Sequence, residues 1–374
     1  MGFLPITQPS IDEDTIRGVA EVLRSGWMAS GPQVLKFEAA LSEYLHDRPV
    51  RVMTSATAAL EIALRVAGVD KGSQVILPAM SFAATANVVA RVGARPVLVD
   101  VDLQTRNIDL DQLERAITPA TRALLPVHFA GLPVDMERLY DIAHSNRLRV
   151  IEDAAHAIGS HWKGRRIGSF GDLVCFSFHP NKNITTIEGG AIATRDSEEL
   201  VAIERHRFHG IRKCNVDCMD VMFPGGKANM SDVSARLGLG QLPHLDRFNG
   251  RRAELAAAYF AALKDTPGLQ LPARGDSGHS WHMFAPLLSL DELRITRRDF
   301  IRLMGDQKIG VGVHYPAIHL FSYYRGLGYA EGDFPNAERI GTQTVTLPLF
   351  PTMTFADVER VCSVVHQILT RNRR

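Results

Sequence analysis

Between residues 50 and 194 the sequence alternates short, almost wholly apolar runs with amphipathic stretches of about a dozen residues, and this rhythm constrains the fold more than any other feature. The runs are Val50–Met53, Val75–Leu77, Pro96–Val101, Ala123–Val127, Arg149–Ile151, Leu173–Phe178 and Gly190–Thr194. Most are apolar at consecutive positions, so each strand must be covered on both faces, as in a mainly parallel sheet flanked by helices. Helix-like segments at Ala56–Val66, Ala83–Val92 and Met136–Asn146 separate them, the last preceded by Pro133 and Asp135 as start signals. The expected architecture is α/β, with about seven strands in a mainly parallel sheet.

Past residue 230 the pattern turns helical, with Ser231–Leu242 and a long Ala- and Arg-rich segment at Arg247–Lys264. Asp265–Gly278, rich in Pro, Gly and polar residues, reads as a linker or surface loop. The chain has 374 residues, and at roughly 150 residues per domain such a length suggests two or three packed units. The expected division is an N-terminal segment and large α/β domain at 1–245, then a smaller α+β domain at 246–374.

Charge narrows the partners. Forty-two Lys and Arg against 41 Asp and Glu leave a net charge of +1, so no overall field draws the chain to nucleic acid or to an anionic membrane. Neither is expected as a partner. Four cysteines cannot make a disulfide framework in so long a chain. Cys214 and Cys218 sit four apart near Asp217 and Asp220, but a structural zinc needs further ligands at recognisable spacing, and no metal is expected. Met1–Pro5 has no basic or apolar character of a secretory signal, and Ile6 stands where myristoylation after Gly2 needs Ser or Thr. No apolar stretch approaches the roughly 20 residues of a membrane span. A cytoplasmic protein is expected.

Ligands of open α/β sheets bind beyond the carboxyl ends of the strands. Thr54-Ser55-Ala56-Thr57 passes straight from a strand into a helix, leaving free N–H donors at the positive end of a helix dipole, where an anion such as phosphate binds. The same residues would also serve as a plain N-cap. Glu152-Asp153-Ala154-Ala155-His156 puts two carboxylates behind a buried strand, where charge is costly unless paired. Ser177-Phe178-His179-Pro180-Asn181-Lys182 places a lone lysine among turn residues, and Pro78-Ala79-Met80-Ser81-Phe82 places an aromatic ring at a strand end. Singly, such a lysine is usually a surface residue and such a ring usually core. Together, an anion cradle, an acid, a lysine and an aromatic face are what pyridoxal 5'-phosphate needs.

The order of these pieces resembles the DegT/StrS-type sugar aminotransferases, which have the type I fold of pyridoxal phosphate enzymes. The resemblance rests on Gly31-Pro32, Phe37-Glu38, Ser55 to Ala59, Val99 to Asp102, Pro126-Val127-His128, Ile151 to His156, Ser177-Phe178 to Lys182, Glu188-Gly189-Gly190 and Leu347 to Pro351. Ser177-Phe178-His179 with Lys182 to Thr185 is most similar to enzymes that aminate a UDP-linked 4-keto-pentose on the route to 4-amino-4-deoxyarabinose. The resemblance implies that Lys182 forms the Schiff base, that Asp153 partners the pyridine nitrogen and that His156 lies against the phenolic oxygen, where many relatives have glutamine. It places Phe82 on the ring and Ser55, Ala56, Thr57 and Ser177 around the phosphate. Asn229 would reach the phosphate from the other subunit, giving a homodimer with shared active sites. Trp27, Met28, His314, Tyr315 and His319 are the implied substrate contacts.

Two departures bear on the substrate. The segment Gly225-Gly226-Lys227-Ala228-Asn229 lacks the tyrosine usual in the family, and Ala29 stands near where some relatives have threonine. Trp281 reads as packing within the smaller lobe. The expected activity is transfer of an amino group from an amino acid, L-glutamate, to a nucleotide-linked keto sugar, a UDP-4-keto sugar, for surface polysaccharide, lipopolysaccharide or antibiotic biosynthesis. The alternatives are an aminotransferase for a small ketone or aldehyde and a regulator built on the same fold. Sugar 3-dehydratases of this fold carry histidine where this chain has Lys182.

Overall fold

The computed structural model describes residues 2–213, 215, 218–275 and 278–374. Cys214 and Asp217, weighed above as metal ligands, lie outside the described residues. All seven apolar runs form strands: β1 Val50–Met53, β2 Gln74–Pro78, β3 Arg95–Val99, β4 Thr121–Leu124, β5 Arg149–Asp153, β6 Leu173–Ser177 and β7 Gly190–Ala193. They make one sheet in the order β1-β7-β6-β5-β4-β2-β3. Neighbours from β6 to β3 run parallel, while β7 lies antiparallel to both β1 and β6.

Consecutive apolar residues do cover two faces. On β2, Val75 and Leu77 join one buried cluster while Ile76 joins another, and Ile151 and Val150 divide in the same way on β5. Helix α1 is Glu13–Ser25, α2 Pro32–Tyr44, α3 Ala56–Val66, α4 Ala83–Arg91, α5 Leu110–Arg115, α6 Met136–Ser145, α7 Ser197–Arg207, α8 Asp232–Gln241 and α9 Leu245–Leu263. Caps start several of them: Ser55 accepts from Ala58 N–H on α3, Asp135 from Arg138 N–H on α6, and Ser231 from Ser234 N–H on α8.

Strand ends differ from expectation in an informative way. β4 stops at Leu124, before Pro126, whose ring nitrogen has no hydrogen to give the ladder. β5 runs on to Asp153, so both carboxylates belong to the strand itself. Within the expected loop at 265–278, Leu269–Gln270 pairs with Leu287–Leu288.

The long helix α9 connects two buried regions. Its Leu245 and Phe248 pack with one sheet face, whereas Leu255, Tyr259 and Phe260 pack with Trp281, Phe284 and the last helix, Phe355–Arg371. Trp281 is buried there, edge-on to Phe260. The N-terminal segment touches both regions, through Leu4 beside Ile309 and through α1 against α8.

The entry to α2 depends on a residue far along the chain. Gly31 has no side chain to cap that helix, and Asp232 does so instead, accepting from the N–H groups of Gly31 (2.7 Å), Gln33 (3.1 Å) and Val34 (3.0 Å). Asp232 is buried. Asp232→Ala therefore strands three donors and is expected to cost about 2–3 kcal/mol, read as a lowered urea midpoint. Asp232→Asn, which keeps an acceptor, is expected to lose less.

Candidate active site

At the carboxyl ends of the parallel strands lies a cleft of about 270 Å³. Ser55, Ala56, Thr57, Phe82, Asp153, His156, Ser177, Lys182, His314 and Tyr315 all line it. Segments spanning some 260 residues of sequence thus converge on one space, as the position beyond the strand ends requires.

Side chains alternate along a strand, so Glu152 and Asp153 leave β5 on opposite faces. Asp153 enters the cleft. Its Oδ2 accepts from Thr85 Oγ1 at 2.8 Å and its Oδ1 from Ala155 N–H at 3.1 Å. Ser81 Oγ lies 2.9 Å from Thr85 Oγ1, extending a line of hydroxyls behind the carboxylate. Burial raises the Asp153 carboxyl above its ordinary value, against the lowering effect of these hydrogen bonds and of Lys182. Glu152, on the far face, is wholly buried against His128 Nε2 (3.0 Å) and Tyr140 Oη (2.7 Å).

Lys182 follows β6 in a loop fastened at several points. Phe178 N–H bonds Gly189 O and Thr186 N–H bonds Phe178 O, while Asn183 Nδ2 donates to Asn249 and to the Ser280 carbonyl. Burial lowers the Lys182 ammonium to about 8, with Asp153 pulling the other way. The amine is therefore substantially neutral near pH 8, the state needed for nucleophilic and base chemistry.

His156 is held by acceptor and ring contacts. Ala130 N–H donates to its Nδ1 (3.3 Å), leaving Nε2, 3.3 Å from Tyr315 Oη, as the protonated nitrogen of the neutral ring. His282 stacks on it at 4.4 Å. Burial, followed by Lys182 and His314, pushes His156 well below its usual pKa, and burial lowers His314 to about 4.

The opposite wall is an anion cradle. Ser55 caps α3, and helix geometry leaves the N–H groups of Ala56 and Thr57 without intrahelical partners. Gly190 makes the approach possible: a β-carbon there would stand 2.5 Å from Ala56 N and from the Ser55 carbonyl. Ser177 is the register partner of Gly190 and faces the same cleft. Phe82, 57% exposed, presents its ring to the cleft instead of to the core.

Four expected residues lie elsewhere. His319 is fully buried, with Nε2 2.8 Å from Glu338 Oε1 and its ring against Phe334, which makes it a packing residue in this chain. The 3-10 turn at Ile318–Leu320 carries His319 inward, away from the substrate contact expected of it. Trp27 and Met28 stand exposed outside the cleft. Asn229 pairs with Met53 at the end of β1, its side chain on Ser30 and Lys227. Thr85 and His282 were not singled out from sequence. Thr85 stands four residues after Ser81, at the start of α4, a spacing that places both hydroxyls together. His282 gives no local signal, because only the tertiary fold brings it to His156.

The described residues contain no group of three His, Cys, Asp or Glu side chains able to hold a metal, and no helix long and apolar enough to cross a membrane.

Comparison with known proteins agrees with this geometry. The family model for the DegT/DnrJ/EryC1/StrS aminotransferase family matches residues 9–366. The chain is 40% identical to the spore coat polysaccharide biosynthesis protein SpsC of Bacillus subtilis, over 98% of this chain and 97% of that protein. Among solved structures it is similar to Spr1654 of Streptococcus pneumoniae in its PMP form, with TM-score 0.94, 31% identity and coverage of 99% and 98%. It is also similar to Helicobacter pylori PseC, an aminotransferase involved in pseudoaminic acid biosynthesis, with TM-score 0.93, 28% identity and coverage of 99% and 100%. The cleft, the sheet and these likenesses agree: the chain is an aminotransferase belonging to the DegT/DnrJ/EryC1/StrS family.

Proposed function

We propose that this aminotransferase works with pyridoxal 5'-phosphate and transfers an amino group from an amino acid, L-glutamate, to a keto sugar linked to a nucleotide. The observation that carries the reading is the convergence of Lys182, Asp153, His156 and the start of α3 on one cleft. Residues and cofactor fit. The Ala56 and Thr57 N–H groups and the Ser177 hydroxyl are donors for a phosphate, and Gly190 clears the space beside them. When bound, the cofactor supplies an aldehyde that condenses with amines and a ring that draws electrons from the bond being broken.

The chain's own residues do the rest. Asp153 is a buried acceptor that would keep a proton on the ring nitrogen, and the resulting charge pair would relieve the cost of its burial. Lys182, largely neutral near pH 8, would take the proton from the amino donor's α-carbon and return one in the reverse half of the cycle. His156, neutral and with Nε2–H outward, would donate to the phenolic oxygen. Phe82 offers a ring face for stacking.

Spr1654 has been solved in PLP and PMP forms, and SpsC and PseC are described as proteins of spore coat polysaccharide and pseudoaminic acid biosynthesis. These support a sugar as acceptor, with a UDP-linked 4-keto sugar as the specific candidate. A homodimer with shared sites accounts for Asn229, Trp27 and Met28. Trp27, Ile187 and Met219 are each at least 60% exposed, apolar side chains that a second copy would cover, and that copy's Asn229 would complete the phosphate site.

The purified protein is expected to be yellow, with borohydride fixing the cofactor's mass on the Lys182 peptide. Lys182→Ala should lose the fixed adduct and on the order of 10³-fold or more in turnover. A colourless variant with full turnover would refute the cofactor assignment. In cofactor-free protein, amine-reagent labelling of Lys182 should reach its midpoint near pH 8, against about 10.4 for an ordinary lysine. Because Asp153 raises the amine, Asp153→Asn should move that midpoint lower still. A panel of UDP- and dTDP-linked 3-keto and 4-keto sugars with glutamate tests the acceptor: amination of a UDP-4-keto sugar is expected, and failure of every sugar would overturn it.

A further inference from the structure

Behind the active-site wall is a buried arginine whose charge no described residue matches. Arg106 closes the turn after β3, with Asp102 O accepting its N–H at 2.8 Å, and it has a left-handed backbone at φ 62°. Its side chain is 3% exposed. Among the described residues no carboxylate forms an ion pair with the guanidinium and no acceptor forms a hydrogen bond with it. Its nearest neighbour of note is the Phe129 ring, 6.0 Å away, and Nε is buried without a partner. Burial lowers Arg106 to about 10, and among the described residues no neighbouring charge offsets the effect.

The contrast with the protein's other buried arginines is informative. Arg48, Arg207 and Arg252 also leave Nε bare, yet each directs its terminal nitrogens to carbonyls or a carboxylate. Arg106 instead lines a cavity of about 20 Å³. That is room for roughly one water-sized particle.

His279 forms part of the cavity's polar wall, with Gln104 and Thr105. Its Nδ1 accepts from Trp281 N–H at 3.0 Å, and burial lowers it to about 3, so the ring is neutral and its proton sits on Nε2. Among the described residues no Asp or Glu lines the space; Gln104 and Thr105 add uncharged polar groups, and Phe129, Leu132, Trp281 and Met283 supply carbon. A water there would leave the guanidinium charge unneutralised. A spherical anion accepts from every direction and cancels the buried charge.

We propose that this cavity binds one monatomic anion, of the chloride class, between the guanidinium of Arg106 and the Nε2–H of His279. The ion would join the turn after β3 to the segment carrying His279 and Trp281. It would also support Phe129, whose ring meets His156 (6.1 Å) and Tyr315 (6.4 Å) edge-on at the active site. Saturable stabilisation by chloride follows.

The test uses the cofactor-loaded protein at fixed ionic strength, with sodium gluconate replaced stepwise by sodium chloride or bromide. The wild-type Tm should rise by about 1–3 °C and level off. Arg106→Met should abolish the rise and His279→Leu should reduce it. No rise in the wild type, or an equal rise in Arg106→Met, would overturn the proposal. If Arg106→Met does not fold, crystals of the wild type grown in bromide decide: an anomalous peak in this cavity supports the site, and a bromide-free cavity overturns it.

Discussion

Two adjacent carboxylates at the end of one strand cannot share a face, and much of the structure follows from where β5 sends each. The pleat turns Glu152 into a closed network with His128 and Tyr140, and Asp153 into the cleft with Thr85 and Ala155 N–H. The two sides solve the same desolvation problem differently. Glu152 is satisfied by donors within the fold, and Gly171 leaves room for it, since a β-carbon there would lie 2.1 Å from its Oε1. Asp153 has two donors among the described residues and a carboxyl raised by burial, the cost of which a cationic partner in the cleft would relieve.

The same economy of charge runs through the cleft. Lys182 is drawn toward neutrality, and His156 and His314 are held neutral by burial. Among the described residues no arginine lines the space. Anion affinity then falls to backbone N–H groups at the start of α3, which carry no proton to lose and keep their strength across the working pH range. The near-zero net charge of the whole chain is no obstacle to a phosphate-bearing ligand on these terms.

The sheet was legible because strands buried on both faces have to be apolar at every position, and each of the seven runs proved to be one. Their ends were less so. Whether Asp153 closes β5 or follows it depends on the ladder to β6, where it pairs with Cys175, and no local pattern carries that information. The antiparallel placement of β7 is equally silent, since Gly190–Ala193 looks like any buried strand. Within the site, motif residues at strand ends could be read in advance, whereas His282 and Ala130 N–H reach His156 only through folding. His319 shows the converse: a polar residue in a promising segment can satisfy itself with a half-buried glutamate and take no part in the cleft.

The placement of β1 has a consequence for how the chain matures. Its one neighbour in the sheet is β7, so Val50 must wait for Ala193, and the cap of α2 waits for Asp232. On a ribosome adding about 5–20 residues per second, the first strand stays unpaired for on the order of ten seconds after it emerges. During that interval Val50, Val52 and Met53, all fully enclosed in the finished protein, form an apolar edge open to other chains. Protection of nascent protein by chaperones would matter most here, between the synthesis of β1 and the arrival of the strand that closes it.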